Sequence, residues 1–124
     1  MLIIVMDKKN NLEYRVTREG ETEPPFSGKF NNHDGKGIYS CVNCNHELFN
    51  SKDKFDSGTG WPSFHSAAQK NSVKEKKDVS HGMIRTEVLC NNCESHLGHV
   101  FEDGPRPTGL RYCINSVSLT FEEK

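Results

Sequence analysis

The chain of 124 residues has few hydrophobic residues and no excess of charge of either sign. Hydrophobic residues make up 33% of it and the mean hydropathy is −0.74, so its apolar interior must be small and would benefit from an additional constraint. Sixteen basic and seventeen acidic side chains give a formal charge of −1. This balance provides no attraction to nucleic acid or to an anionic membrane, and it predicts no polyanionic partner.

Long apolar runs and linkers are also scarce. The apolar opening, Met1–Met6, has no basic segment before it and stops at Asp7, so it is too short for a signal core or a membrane span. We predict a strand there and no membrane contact. Because no Pro/Gly/Ser-rich linker divides the chain, one domain over residues 1–124 is expected.

Several short segments alternate apolar with polar residues, which is the period-two pattern of strands. The turn-rich stretches between them, Ser57–Ser63 and Asp103–Gly109, suit functional loops. This pattern predicts an all-β sandwich or barrel of short antiparallel strands. The segments with strand alternation are Ile84–Leu89, His99–Phe101, Arg111–Ile114 and Val117–Phe121.

Helical signals in the chain are weak. Val16–Gly20 and Ser66–Lys70 are each predicted to form a helical turn or two, which is too short to organise the fold. The charge-rich run Lys70–Asp78 is predicted to be a solvated strand or loop with no chemical role. The expected fold is therefore mainly β, with short peripheral helices.

Four of the five cysteines form two pairs with the same spacing, Cys41–Cys44 and Cys90–Cys93. Two residues between thiols is the spacing with which a tight turn brings both sulfurs onto one ion, and two such turns complete a tetrahedron. Four sulfur ligands suit one structural Zn²⁺, with a rubredoxin-like iron site as the alternative. Two disulfides or four unrelated core cysteines are competing interpretations. Paired spacing without a secretion signal favours the metal and a reducing compartment, so a cytoplasmic location is expected.

The fifth cysteine, Cys113, lies in a predicted strand whose period of two places it on one face with Arg111 and Asn115. A nearby guanidinium favours the thiolate, which is the nucleophilic form of the side chain. The pattern indicates an activated thiol, whereas a lone cysteine is more often a small buried hydrophobe.

Two histidines and a tryptophan elsewhere in the sequence are further candidates for this site. His96 and His99 precede the Gly/Pro loop that leads into the Cys113 strand, and a hairpin would bring them near it. There they can donate protons or orient water, although an isolated histidine is more often structural. Trp61 lies between glycine and proline in Gly60–Phe64, which suggests a small hydrophobic pocket, with a core role as the competing interpretation.

A set of longer motifs covers much of the chain: Gly58–Phe64, His81–Met83, Ser95–Phe101, Asp103–Pro105, Pro107–Gly109 and Arg111–Ser116. Together these motifs resemble those of the B-type methionine-R-sulfoxide reductases. The resemblance runs from about Tyr39 to Phe121, with Pro25–Gly28 as a further similar stretch. Its motifs are too long and too many to arise by chance.

This resemblance implies a fold, a metal and a reaction. It implies two antiparallel sheets, one structural zinc held by the cysteine pairs away from the active site, and reduction of methionine-R-sulfoxide in oxidised proteins, a repair of oxidative damage. Cys113 would attack the sulfoxide and become a sulfenic acid. His99 would be the acid that protonates the sulfoxide oxygen.

The resemblance also implies roles for residues around the reacting thiol. His96 and Asn115 would position substrate or water, and Trp61 would form the wall that receives the substrate's methyl group. His81 and Arg111 would be further substrate-binding residues. The preference for the R sulfoxide follows from the resemblance alone.

One position departs from that family's pattern. Many members carry a resolving cysteine just before Gly-Trp-Pro-Ser-Phe, where this chain has Thr59. With four cysteines on the metal, Cys113 has no spare internal thiol. We therefore expect an external thiol to resolve the sulfenic acid, either thioredoxin directly or a small thiol followed by a glutaredoxin-type protein. A monomer is expected.

Two other functions fit parts of the pattern. A non-enzymatic zinc-ribbon module needs only the metal site, but it predicts basic or aromatic patches and leaves Cys113, His99 and Trp61 unexplained. A cysteine hydrolase would use Cys113, a histidine and Asn115 for acyl transfer. It would cleave an ester or amide and be indifferent to oxidised methionine.

Overall fold

The computed structural model describes residues 11–124, and most of its regular structure is β-strand. Within these residues one α-helix, α1 (Leu12–Glu19), comes before the strands. The strands within the described residues are β1 (Gly37–Cys41), β2 (Glu47–Asn50), β3 (Lys54–Phe55), β4 (Ser63–Phe64), β5 (Val73–Asp78), β6 (Arg85–Cys90), β7 (His96–Phe101), β8 (Arg111–Ile114) and β9 (Leu119–Glu123).

These strands form two antiparallel sheets. The smaller sheet has the order β2-β1-β9, and the larger has the order β3-β4-β8-β7-β6-β5. Every neighbouring pair is antiparallel. The prediction of a mainly β fold with two antiparallel sheets is thus confirmed.

Aromatic side chains from both sheets form the centre of the core. Phe49 of β2 stacks on Phe64 of β4 with ring centroids 4.5 Å apart and planes at 12°. Tyr39 of β1 meets the same Phe64 ring edge-on at 5.2 Å, and Phe49 lies 5.6 Å from Tyr112 of β8. Because each large ring buries a large apolar area, a few of them suffice to join the sheets in a chain with little hydrophobic material.

Helix α1 packs against β7 and the 3₁₀ turn Ser116–Ser118. Asn11 caps its start by accepting a hydrogen bond from the Tyr14 N–H at 3.2 Å, and Gly20 ends it with a left-handed φ of 75°. The helical turn predicted at Val16–Gly20 is the second half of this helix, which is longer than expected. Its residue Val16 is fully buried. No helix within residues 11–124 has the length and hydropathy needed to cross a membrane.

Two local predictions are wrong, and in each case a backbone N–H of the segment donates a hydrogen bond to a residue distant along the chain. Ser66–Lys70 forms bends and a turn instead of a helix, since the Ala68 N–H donates to Leu48 of β2. Val117 lies in a 3₁₀ turn before β9, since its N–H donates to Glu23 Oε1 at 3.0 Å. The strand predicted at Met1–Met6 lies outside the described residues.

The other predicted strands agree closely with the structure. Arg111–Ile114 matches β8, and the segments beginning at Ile84 and His99 lie within three residues of the bounds of β6 and β7. The charge-rich run Lys70–Asp78 contains β5, which is the edge strand of the larger sheet.

Strands β7 and β8 approach closely at Gly98. A Cβ at this position would lie 2.0 Å from the backbone oxygen of Cys113, so only glycine fits without a shift of one strand. Gly98 pairs with Ile114, and the next pair along the ladder is His99 with Cys113. This close pairing therefore sets the histidine directly opposite the cysteine.

Candidate active site and metal centre

The centre of the candidate active site is the cross-strand pair His99 and Cys113. Residues directly opposite each other on antiparallel strands project from the same face, with Cβ atoms about 4.5–5.5 Å apart. On its other side Cys113 pairs with Ser63 of β4. The thiol is therefore framed by an imidazole on one neighbouring strand and a hydroxyl on the other.

The thiol opens into a cavity of about 250 Å³. Of the site residues predicted from the sequence, the cavity brings together Cys113, His99, Asn115, Trp61 and Arg111, but neither His96 nor His81 lines it. A wider cleft of about 990 Å³ between β1 and β3 contains none of the predicted residues. The residues that line the smaller cavity are Thr22, Thr59, Trp61, Arg85, Gly98, His99, Phe101, Arg111, Cys113 and Asn115.

Burial governs the ionisation of Cys113. It raises the pKa of the thiol, and this effect outweighs the opposing charge of Arg111 and the hydrogen bond from Thr59. The charge of Arg111 lowers the pKa of Cys113, as the sequence predicted. The net pKa is nevertheless raised, so Arg111 does not by itself convert the thiol to the thiolate. At neutral pH the side chain is a thiol.

The Arg111 guanidinium is held in a fixed orientation. Its Nε lies 2.9 Å from Asp103 Oδ1, its Nη2 lies 3.1 Å from Asp103 Oδ2, and it stacks over the Phe101 ring at 4.4 Å. Such a two-point contact restricts both position and tilt of the planar group. It therefore forms one rigid wall of the cavity.

His99 is bound by a carboxylate that the sequence analysis did not identify. Its Nε2 lies 2.7 Å from Oδ2 of Asp78, the last residue of β5. Burial lowers the pKa of His99 despite this partner, so the ring is neutral at neutral pH. The hydrogen bond with His99 holds the pKa of Asp78 well below its usual range. With Nε2–H donating to the carboxylate, Nδ1 is the unprotonated nitrogen.

Asp78 also corrects the interpretation of the charge-rich run. Its carboxylate lies 3.4 Å from Arg85 Nη2 as well as bonding His99. The prediction that Lys70–Asp78 has no chemical role is wrong at this last residue. The sequence contains no signal for the contact between Asp78 and His99, since one acidic residue at the end of a charge-rich run is not distinctive.

His96 lies beside His99 but does not line the cavity. Its Nδ1 is 2.6 Å from Glu87 Oε2, and its ring centroid is 5.5 Å from that of His99. Residues three apart in a regular strand point to opposite faces. A bulge where Leu89 pairs with His96 and Val88 with Gly98 supplies the extra residue that returns both imidazoles to one side.

Asn115 and Trp61 are both held by Glu23, a residue that the sequence analysis missed. The Asn115 Oδ1 accepts from the Glu23 N–H at 2.9 Å, while its Nδ2 donates to Leu97 O at 2.9 Å. The Trp61 Nε1–H donates to Glu23 O at 2.9 Å. Glu23 itself is 1% exposed. The backbone of one buried residue thereby fixes two walls of the cavity.

His81 does not join the site. It is exposed, in the 3₁₀ turn Ser80–Gly82, with a left-handed φ of 57°. The sequence predicted a substrate-binding role for His81, but this residue does not line the cavity.

The four paired cysteines form a cluster whose ligand atoms all lie within 4.8 Å of one another. The Sγ atoms of Cys41 and Cys93 are 3.6 Å apart, as are those of Cys44 and Cys90. Sulfurs bound tetrahedrally at about 2.3 Å from one metal ion lie about 3.8 Å from each other, so the cluster fits a metal. All cysteines are free thiols, and the alternative of two disulfides is wrong.

The two halves of the cluster have the same local geometry. Asn45 and Glu94 follow their cysteine pairs with φ of 66° and 63°, and each donates its N–H to the first cysteine of the pair at 2.8 Å. Asparagine is one of the residue types that adopt this left-handed backbone at low cost. The repeated turn directs both thiols of a pair toward one point.

The cluster lies at a distance from the reacting thiol. One pair is in the turn between β1 and β2, and the other is in the turn between β6 and β7, so the metal joins the two sheets. Ser95 lies beside this turn, and His99 follows four residues later. At about 3.3 Å per residue, the strand places His99 about 13 Å from Ser95. Cys113 is not among the clustered residues.

Comparison with known proteins agrees with this arrangement. The SelR domain model matches residues 10–123. A peptide methionine sulfoxide reductase MsrB from Herminiimonas arsenicoxydans is 63% identical over 110 residues, covering 89% of this chain and 80% of that protein. The MsrB proteins of Synechococcus sp. (strain RCC307) and Pseudomonas savastanoi pv. phaseolicola are 57% and 61% identical, covering 90% and 86% of this chain and 82% of each protein.

Removal of the metal is expected to unfold the chain. The apparent binding energy of a structural zinc site is about 10–16 kcal/mol in small peptides, which matches or exceeds the net stability of a typical domain. We expect one metal ion per chain by elemental analysis, and loss of the cooperative melting transition after chelation. Cys90→Ser should behave like the chelated protein, whereas Cys113→Ser should retain its metal. An unchanged melting temperature in metal-free protein would contradict this prediction.

Proposed function

The chain belongs to the SelR-domain family of B-type peptide methionine sulfoxide reductases, and on this basis we propose that it reduces methionine-R-sulfoxide to methionine through Cys113. The observation that carries the proposal is the placement of His99 opposite Cys113 in a cavity bounded by Trp61. A nucleophilic thiol, a proton carrier and an apolar wall are the groups that sulfoxide reduction requires.

In the first step the proton of the Cys113 thiol passes through His99 Nδ1 to the sulfoxide oxygen while the Cys113 sulfur attacks the substrate sulfur. The protonated oxygen then moves from the substrate sulfur to the Cys113 sulfur, so that the substrate's S–O bond and the transient S–S bond break as the S–O bond on Cys113 forms. Methionine leaves, and Cys113 becomes a sulfenic acid. The cysteine sulfur is oxidised by two electrons, the substrate sulfur is reduced by two, and no external proton is consumed.

Asp78 supports this proton transfer. Its carboxylate fixes the tautomer and orientation of His99 through the 2.7 Å bond to Nε2, and it stabilises the imidazolium that exists while the proton is in transit. His99 itself is buried, so an unpaired imidazolium there would be costly. Asp78 is a positioning residue, since it acts through His99.

The cavity walls determine which sulfoxide is bound productively. Trp61 faces the substrate's methyl group, and its ring is fixed by the bond from Nε1–H to Glu23 O. Arg111 is locked on Asp103 and limits the opposite side. Because the thiol and His99 approach from one direction, two rigid walls favour the sulfoxide epimer whose oxygen points toward His99.

In the second step an external thiol resolves the sulfenic acid. Thr59 lines the cavity, with its hydroxyl 2.8 Å from that of Ser57, at the position where the sequence analysis noted a missing resolving cysteine. The other four cysteines lie in the cluster. A first thiol condenses with the sulfenic acid to give a mixed disulfide and water, and a second thiol releases Cys113. Thioredoxin, or a small thiol followed by a glutaredoxin-type protein, supplies them.

The metal is zinc in this proposal, and it has a structural role. A closed set of four thiolates suits Zn²⁺ and leaves no ligand position for substrate. Iron in the same ligand set would colour the purified protein. Thiolate ligands and a thiol nucleophile both suit a reducing compartment, which supports a cytoplasmic location. In this proposal the chain acts as a monomer on oxidised proteins.

Racemic N-acetyl-methionine sulfoxide with dithiothreitol tests the activity. We expect the wild-type protein to consume one epimer, the R form, and Cys113→Ser to be at least 1,000-fold slower, on the order of what removal of a catalytic nucleophile costs. Chromatography on a chiral phase measures both epimers. Absence of turnover in fully metallated protein would refute the proposal, and ester hydrolysis without sulfoxide reduction would support a hydrolase instead.

Mass spectrometry after one turnover without reductant tests the resolution step. We expect Cys113 to be trapped as its dimedone adduct and no disulfide within the chain. A Thr59→Cys variant should instead form a disulfide between positions 59 and 113, because Thr59 and Cys113 line the same cavity. Detection of Cys113 bridged to Cys41, Cys44, Cys90 or Cys93 in the wild type would show that internal resolution occurs.

The pH dependence of the first step tests the roles of His99 and Asp78. The pKa of His99 lies below its ordinary 6.5 and that of Cys113 above its ordinary 9.0. The single-turnover rate should therefore be level between about pH 6.5 and 9. It should fall in acid, where His99 cannot accept the thiol proton, and in alkali, where that proton is lost.

Asp78→Asn separates the positioning role from a structural one. The carboxylate raises the pKa of His99 against the effect of burial, so its loss should move the acid limb to lower pH and slow the plateau about 10- to 100-fold. Rapid-quench measurement of methionine formation gives both values. Glu75→Gln, at an exposed position of the same strand, is the matched control. An unmoved acid limb would contradict the assignment.

A further inference from the structure

The exposed large hydrophobic side chains of residues 11–124 fall in two short segments. They are Phe26, which is 70% exposed, together with Val79 at 64%, Met83 at 46% and Ile84 at 78%. Exposed apolar groups that cluster at one place on a soluble protein mark a contact surface. We call these four residues the apolar rim.

Phe26 lies beside the Trp61 wall of the active-site cavity. Its N–H donates to Gly60 O at 2.8 Å, and a Cβ on Gly60 would lie 2.9 Å from the ring atom Phe26 Cδ2. Phe26 also has a left-handed φ of 63°, which is unfavourable for an aromatic residue. The backbone thus holds an aromatic ring against the loop that carries Trp61, with most of its surface in solvent.

Val79, Met83 and Ile84 lie in a loop between two other residues of the site. This loop begins after Asp78, which bonds His99, and ends before Arg85, which lines the cavity. The loop is closed at its base by the contact between Asp78 and Arg85 at 3.4 Å. Both segments of the apolar rim are therefore directly attached to residues of the active site.

The cavity itself is too small for more than the reacting side chain. Its volume is about 250 Å³, below the roughly 300–1,000 Å³ of pockets that enclose a whole small ligand. A methionine sulfoxide within a polypeptide must therefore leave its neighbouring residues outside, on the surface next to the opening. That surface is formed in part by the apolar rim.

We propose that the apolar rim binds apolar side chains flanking a methionine sulfoxide in an extended, unfolded segment of an oxidised protein. This inference rests on the proposed function and specifies which substrates the site favours. Methionine belongs mainly to protein cores, and conversion to the polar sulfoxide disrupts them. Segments exposed in this way carry apolar neighbours, whose burial against the rim provides binding energy that a free amino acid cannot obtain.

Competition between matched substrates, with dithiothreitol as the only reductant, tests this inference. The substrates are N-acetyl-methionine-R-sulfoxide and two pentapeptides with a central sulfoxide, flanked on both sides by leucine or by serine. For the wild type we expect kcat/KM to be about 5- to 10-fold higher for the leucine peptide than for the serine peptide, mainly through KM.

The Phe26→Ser/Ile84→Ser double variant should lose this preference, with a ratio near one, while Ile84→Val should keep it. Lys76→Ser, at an exposed position in β5 away from the rim, should leave both kcat/KM values unchanged. Melting temperature and metal content should match the wild type in every variant.

Several outcomes would overturn the inference. Equal kcat/KM for the two peptides in the wild type would do so, as would an unchanged preference in the double variant. A defect seen only when thioredoxin replaces dithiothreitol would assign the rim to the reductant instead. The N-acetyl substrate keeps the two proposals apart, because a wild-type protein that reduces it without discriminating the peptides retains the proposed function and loses only this inference.

Discussion

The cluster of four cysteines is the constraint on which the rest of the structure depends. It brings the β1–β2 turn to the β6–β7 turn across 45 intervening residues, so a metal bound there joins the two sheets. Strand β7 leaves this turn and carries both histidines toward Cys113. Cys93 contacts the Ser95 hydroxyl at 3.0 Å, one residue before His96. A metal held by these cysteines would therefore fix the start of the strand that carries both histidines.

Residues that line the cavity are supported by residues that lie farther from it. Cys113 and His99 line the cavity, Asp78 lies behind His99, and His96 with Glu87 lies beside them. Burial keeps the thiol protonated and the imidazole neutral, so both groups of the pair begin uncharged. The proposed reaction moves one proton and one oxygen atom and creates no lasting charge. Burial of both groups is consequently compatible with this reaction, although it would penalise a permanent thiolate.

Much of the fold and the site was accessible from the sequence, and the reasons are local. Period-two alternation located β6, β7 and β8, and cysteine spacing located the metal cluster, because both signals arise from short-range geometry. Glu23 and Asp78 were missed because their roles depend on contacts with residues distant along the chain, 92 positions away for Glu23 and Asn115 and 21 for Asp78 and His99. The direction of the Cys113 pKa was misjudged for a related reason. Burial, which sequence periodicity does not measure, exceeded the effect of Arg111.

In the proposed cycle, the small cavity and the lack of an internal resolving thiol set an order of events. Methionine and an external thiol would both need the cavity of about 250 Å³ around Cys113, so methionine would leave before the thiol reaches the proposed sulfenic acid. Substrate and reductant then use the same opening in turn, so a tightly bound product would delay resolution. An apolar surface beside the opening adds to this conflict, because the reduced peptide keeps the same flanking side chains and therefore the same binding energy at the rim. Binding at the rim must therefore be weak enough for the peptide to leave before the reductant arrives.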